Sequence, residues 1–248
     1  MIGENCSLFR LASVTRTVSV GLAALMLAPV LALLANAQAP AQKSDPYPTM
    51  APVEQYLMDR DAEAALARTA APEAISSQAK ILVLGRHGYE SVSEGSNGWV
   101  CMVERGWTSP NDFPEFWNPK LRGPLCLNPS AARSIVPITY KTTEMALAGY
   151  SKSEILAGVV AAFANHKLPP LEPGAMSYMM AKGAYLTDRD DHNLAHLMFY
   201  LPHTDPAAWG ADVPNSPLVR GAQFKGSTID ILIVPVSKWS DGTPAPTD

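Results

Sequence analysis

Arg86-His87-Gly88 follows the apolar run Ile81 to Leu84 in the stretch ILVLGRHGYE. An imidazole can move a proton or attack as a nucleophile, and a neighbouring guanidinium fork meets phosphate oxygens two at a time. At the end of a strand such a pair suits phosphoryl chemistry, with His87 and Arg86 as the acting residues. A second group lies in DRDDHNLAH, residues 188–196, where His192 and His196 stand four apart. On a helix they would share a face and could hold one zinc ion, as in H-E-x-x-H sites. Asn193 occupies the place of that motif's glutamate, which excludes the metalloprotease reading. The segment reads better as a turn followed by a strand, and on a strand residues four apart lie about 13 Å from each other. His192 and His196 stay candidates only through neighbouring strands, and no metal site is favoured.

The Arg-His-Gly triplet after an apolar strand resembles the start of the active site in the histidine phosphatase superfamily. That resemblance implies His87 as the nucleophile, with a second histidine and a second arginine completing a phosphate pocket. The histidines available are His192, His196 and His203, and His203 in FYLPHTD lies near Asp205. The resemblance covers three residues, and its surroundings differ. The family's motif leads into a helix within a parallel α/β sandwich, whereas here YESVS and an Asn97-Gly98 turn predict a second strand and a hairpin. The competing reading is a bend or bulge permitted by Gly85 and Gly88.

The long excursion over residues 106–137 carries Trp107, Phe113, Phe116 and Trp117. Exposed, Trp107, Phe116 and Trp117 would form a ligand-binding surface for a sugar or partner; otherwise they fold back and pack over the sheet edge. No G-x-S-x-G elbow is present. Lys225-Gly226-Ser227 before an apolar run faintly matches the K-T-G strand of penicillin-binding enzymes, a likeness too distant to carry a serine-hydrolase reading. No Gly-rich nucleotide loop or EF-hand pattern occurs, so no cofactor is expected.

The elements that would position these residues follow from punctuation and periodicity. Residues 53–70 are good helix formers ended by Pro72. ILVL, YESVS and WVCMVE are strands, with the Asn-Gly hairpin before the last. TTEMALAG is a helix closed by Gly149, and Ser151 to Glu154 form a capping box for another. AMSYMMA, AHLMFYLP and TIDILIVPV supply three more strands. About six strands and three helices, with the strands at both ends of the domain, predict an α+β fold with a largely antiparallel sheet and a long irregular loop.

The start of the chain is a different matter. Arg10 and Arg16 precede the uncharged run of residues 18–35 and an A-x-A site near Ala37. That order reads as a secretory signal peptide over residues 1–37, and a membrane anchor is the alternative. Cleavage would leave no stable membrane span. Residues 38–52 read as a flexible linker, 53–240 as one domain and 241–248 as a disordered tail. Removing residues 1–37 takes away Glu4, Arg10 and Arg16, so 17 basic and 22 acidic residues remain, a net of −5. Without a basic stripe, nucleic acid is not an expected partner. Cys101 and Cys126 remain after cleavage; outside the cytosol they can form a disulfide, and otherwise they pack as two separate thiols.

LGRHGYE, EGSNGWVCMVERGW, FPEFWNPK, EPGAMSYMM and WSDGT together resemble a group of exported bacterial proteins. That resemblance implies a periplasmic or secreted location and brings no catalytic residues. The expectation is an exported binding or envelope-associated domain taking a small molecule or envelope component, with a His87 phosphohydrolase as the alternative.

Overall fold

The structure is a computed structural model and describes residues 46–109, 113–188, 193–203, 205–221 and 229–246. The stretch read as a signal peptide, His192 and the Lys225-Gly226-Ser227 triplet lie outside the described residues. Eight strands form one sheet: β1 Lys80–Gly85, β2 Gly88–Ser93, β3 Val100–Glu104, β4 Gly123–Leu127, β5 Met176–Met179, β6 His196–Pro202, β7 Val219–Arg220 and β8 Ile229–Pro235. Their order is β2-β1-β3-β4-β5-β6-β8-β7. Every pairing is antiparallel except β1 with β3, which joins Lys80 to Val100 and Ile81 to Cys101. Three helices have nine residues or more: α1 Arg60–Arg68, and, after the short α2 Glu73–Ser76 and α3 Pro129–Ser134, α4 Val136–Leu147 and α5 Lys152–Ala164. The protein is therefore α+β with a mixed, mostly antiparallel sheet.

Strand alternation divides the core. Leu82, Leu84, Met102, Leu125 and Leu127 face the larger layer, where α3, α4, α5 and the aromatic loop pack. Ile81, Cys101, Val103 and Cys126 face the other side, against Ala67 of α1 and Ala70 beyond it. A buried ion pair ties this second layer together. The Arg105 guanidinium donates to Glu63 Oε2 at 2.9 Å, to Tyr56 O at 2.9 Å and to Val103 O at 2.6 Å. Glu63 Oε1 in turn accepts the Leu84 amide at 3.1 Å.

Several local expectations change. Asn97-Gly98 does form a turn, with Gly98 at φ 75°, but the strands on either side of it are not partners. β2 returns along β1, and β3 docks on the far side of β1 instead. The actual hairpin turn is Arg86-His87, closed by the Gly85–Gly88 pair. The predicted helix over 53–70 breaks into a 3-10 turn and α1, because the Asp59 side chain caps a fresh N-terminus by accepting from the Asp61 and Ala62 amides. Residues 106–137 are not one irregular excursion: β4 and α3 lie within them. Pro124 disguised β4, since proline donates nothing to a ladder. It is tolerated because β5 pairs with β4 only at Cys126 and Leu127.

The described parts of the expected linker and tail make contacts with the domain. Tyr47, Met50 and Ala51 pack against the core, and the Tyr56 hydroxyl accepts the Ala51 amide at 3.0 Å. Lys182 pairs with Asp241 at 2.7 Å, while Ala245 donates to Ser237 O at 2.9 Å.

Cys101 and Cys126 are directly opposed on β3 and β4 and form a disulfide with Cα atoms 4.0 Å apart. Bridging 25 positions, it stabilises the fold by about 3 kcal/mol in the chain-entropy picture. Thiol titration of the denatured, unreduced protein is expected to find no reactive thiol at either position. The ion pair makes a stronger demand. Arg105→Ala or Glu63→Ala is expected to cost roughly 3–5 kcal/mol in urea unfolding, because each strands a buried charge. The double replacement Glu63→Leu with Arg105→Met is expected to cost less than either.

Candidate functional site

One half of the larger layer is less completely filled. α3 to α5 cover the β1–β4 side, and beside them an apolar cavity of about 250 Å³ opens over β5, β6 and β8. Met179, Met198, Tyr200, Ile231 and Ile233 line it from the sheet, and Phe113, Leu121, Ile135 and Leu186 from the opposite side. Gly123 makes room for it. A Cβ there would stand 3.3 Å from Leu186 Cδ2 and 3.4 Å from Met179 Cε.

Glu104, the last residue of β3 and the register partner of Gly123, places a carboxyl in this apolar wall. Alternation separates it from its neighbour: Glu104 faces the cavity with Met102, while Arg105 turns to the other layer and is consumed by Glu63. Burial pushes the Glu104 carboxyl up to about 7, and the Thr108 hydroxyl pulls the other way. A carboxyl held neutral by an apolar environment, and able to exchange its proton near neutral pH, is typical of functional sites. Tyr200 stands on the same wall with its hydroxyl 3.1 Å from Ser177 Oγ. Burial first, then the charge of Glu104, raises its phenol, so it stays protonated. The cavity thus offers a large apolar surface, one exchangeable acid and hydroxyls at its edge.

The residues singled out from sequence are spread over the fold. Arg86 and His87 are exposed at the tip of the β1–β2 turn, where Gly88, at φ 124°, takes the reversal. They border a shallow surface hollow of about 400 Å³. Both of its guanidiniums already face carboxylates, Arg86 on Glu54 and Arg60 on Glu90 at 3.1 Å. His196 lies on β6, four strand spacings from β1, which is about 19 Å. It is mostly buried, its Nδ1 is 2.7 Å from Leu194 O, and burial lowers its basicity. His203 follows the same strand, and its Nδ1 lies 3.3 Å from Asp230 Oδ2. The structure therefore does not bring His196 or His203 to His87. Among the described residues no three His, Cys, Asp or Glu side chains group as metal ligands.

The aromatic surface is corrected. Trp107, Phe116 and Trp117 are 0–2% exposed and cannot meet a ligand. Trp107 stacks edge-on with Tyr56 at 4.6 Å and donates to Thr143 Oγ1 at 3.2 Å. Phe116 packs on Trp117 at 4.7 Å. The loop supplies its own core, the physical condition for ordering a long connection. Its Phe113 does reach the cavity.

Glu104 and the cavity were missed. The available signal was an acidic residue in register with Met102 on an otherwise apolar strand. Among the described residues, no helix is long and apolar enough to cross a membrane. Compared with protein-family models, curated proteins and solved structures, the chain matches nothing.

The raised acid has a consequence for stability. Unfolded, Glu104 releases its proton near its ordinary value of 4.5; folded, it keeps it to about 7. Between those values the folded state binds more protons, so its contribution to stability falls as pH rises. Glu104→Gln is expected to remove that slope and to exceed the wild type by about 3 kcal/mol at pH 8 in urea unfolding.

Proposed function

We propose that this chain is an exported binding protein that holds a small, mainly apolar molecule in the cavity over β5, β6 and β8. The observation that carries the reading is the cavity itself: apolar on both sides, opened by Gly123, and marked by one acid, Glu104. Mostly apolar concavities with a few convergent polar groups are the usual form of small-molecule sites. A cavity of about 150 Å³ accepts benzene, so 250 Å³ accepts a ring with a short substituent. The signal-like order of residues 1–37 supports export, and the Cys101–Cys126 disulfide supports a compartment outside the cytosol. A periplasmic or secreted location follows from that reading, and the ligand is then a small molecule of the envelope or its surroundings.

The test is a titration with 2-phenylethanol, followed by the methyl resonances of Met179 and Met198. Saturable shifts are expected at both methyls, and Gly123→Leu is expected to abolish them by filling the space. No shift in the wild type, or equal shifts in the filled variant, would count against the cavity.

A further inference from the structure

Glu104 is a half-made ion pair. Among the described residues, the one other charged residue that lines the cavity is Arg105, and its guanidinium is turned to Glu63; β4 presents Gly123, β5 Met179, β8 Ile231 and Ile233. The nearby guanidiniums are committed elsewhere. Arg105 serves Glu63, Tyr56 O and Val103 O; Arg122 donates to Pro119 O, Leu121 O and Gln55 O. The other titratable groups that sense Glu104 are Tyr200 on β6 and Tyr89 on β2, both buried phenols raised by that burial. A carboxyl in an apolar wall is costly when charged and unpaired, and that cost is relieved by a cation brought into contact.

We propose that the ligand of this cavity is a hydrophobic amine, whose ring or chain fills the apolar space while its ammonium pairs with the Glu104 carboxylate. This rests on the cavity being a binding site. An anionic ligand such as a fatty acid meets the same charge as its own and is rejected. The pairing also links binding to protons. Below about pH 7 Glu104 holds its proton, so taking up an ammonium must expel it. Affinity rises as pH increases through that region, and levels off where Glu104 is already ionised and the amine still charged.

Phenethylamine and 2-phenylethanol, which share a ring and chain length, separate the possibilities by calorimetry at pH 5.5 and pH 8 on wild type and Glu104→Gln. The expected result is an amine at least tenfold tighter than the alcohol at pH 8. That preference should shrink at pH 5.5, where one proton is released per amine bound, and vanish in Glu104→Gln, which still binds the alcohol. If the alcohol binds as well as the amine at pH 8, the cavity reading stands and the amine is wrong. If the preference survives in Glu104→Gln, the amine is held by the acidic surface and the proposal fails. If neither molecule binds, cavity and amine fall together.

Discussion

The Arg105–Glu63 pair fixes how the first half of the protein comes together. Four segments meet at it: the Tyr56 carbonyl before α1, Glu63 within α1, the Leu84 amide on β1 and Arg105 just after β3. A planar guanidinium with several donors is suited to such a junction, since each contact fixes the direction of the next. Both side chains are nearly inaccessible to water. The desolvation cost is offset because Glu63 also accepts a backbone amide and Arg105 reaches two carbonyls, so few of their polar atoms stay unmatched. Once Arg105 is held on that side, strand alternation commits Glu104 to the other, and the acid of the cavity becomes a consequence of the tie.

The same contrast explains why two adjacent charged residues behave so differently. Arg105 is buried and matched; Glu104 is half-buried against the apolar wall and unmatched by a side-chain cation among the described residues. An acid held unmatched against an apolar wall destabilises a fold at neutral pH, and proteins tolerate such features chiefly where they serve a site. Gly123 points the same way, since its lack of a side chain leaves open space beside that acid in a layer otherwise packed with methionine, isoleucine and aromatic side chains.

Much of the architecture was legible from residue order. The Ser151 capping box, the Gly149 stop and the apolar runs of β1, β5, β6 and β8 are local signals, and each element forms where its own residues favour it. What was not legible depended on partners distant in sequence. Asn97-Gly98 has the chemistry of a hairpin turn, yet β1 takes β2 on one edge and β3 on the other, a choice made by packing rather than by the turn. β4 was hidden by Pro124, whose missing donor costs nothing only because β5 stops short of it. The site was least legible of all: one glutamate at a strand end looks like a solvated terminus until the opposite wall is known. Arg86-His87-Gly88 shows the reverse error, a chemically suggestive triplet that is an exposed turn with its arginine already paired.

The cross-strand disulfide has a further effect on the aromatic loop. By joining β3 to β4 it turns the segment from Cys101 to Cys126 into a covalent ring, with the Trp107, Phe116 and Trp117 cluster inside. A protease that cuts anywhere in that ring opens it without releasing a fragment, because both new ends stay attached through sulfur. The cut loop can keep its aromatic packing, and Gly123 and Glu104 remain on strands still tethered to each other. In a compartment rich in proteases, a nick there is survivable damage rather than loss of the molecule.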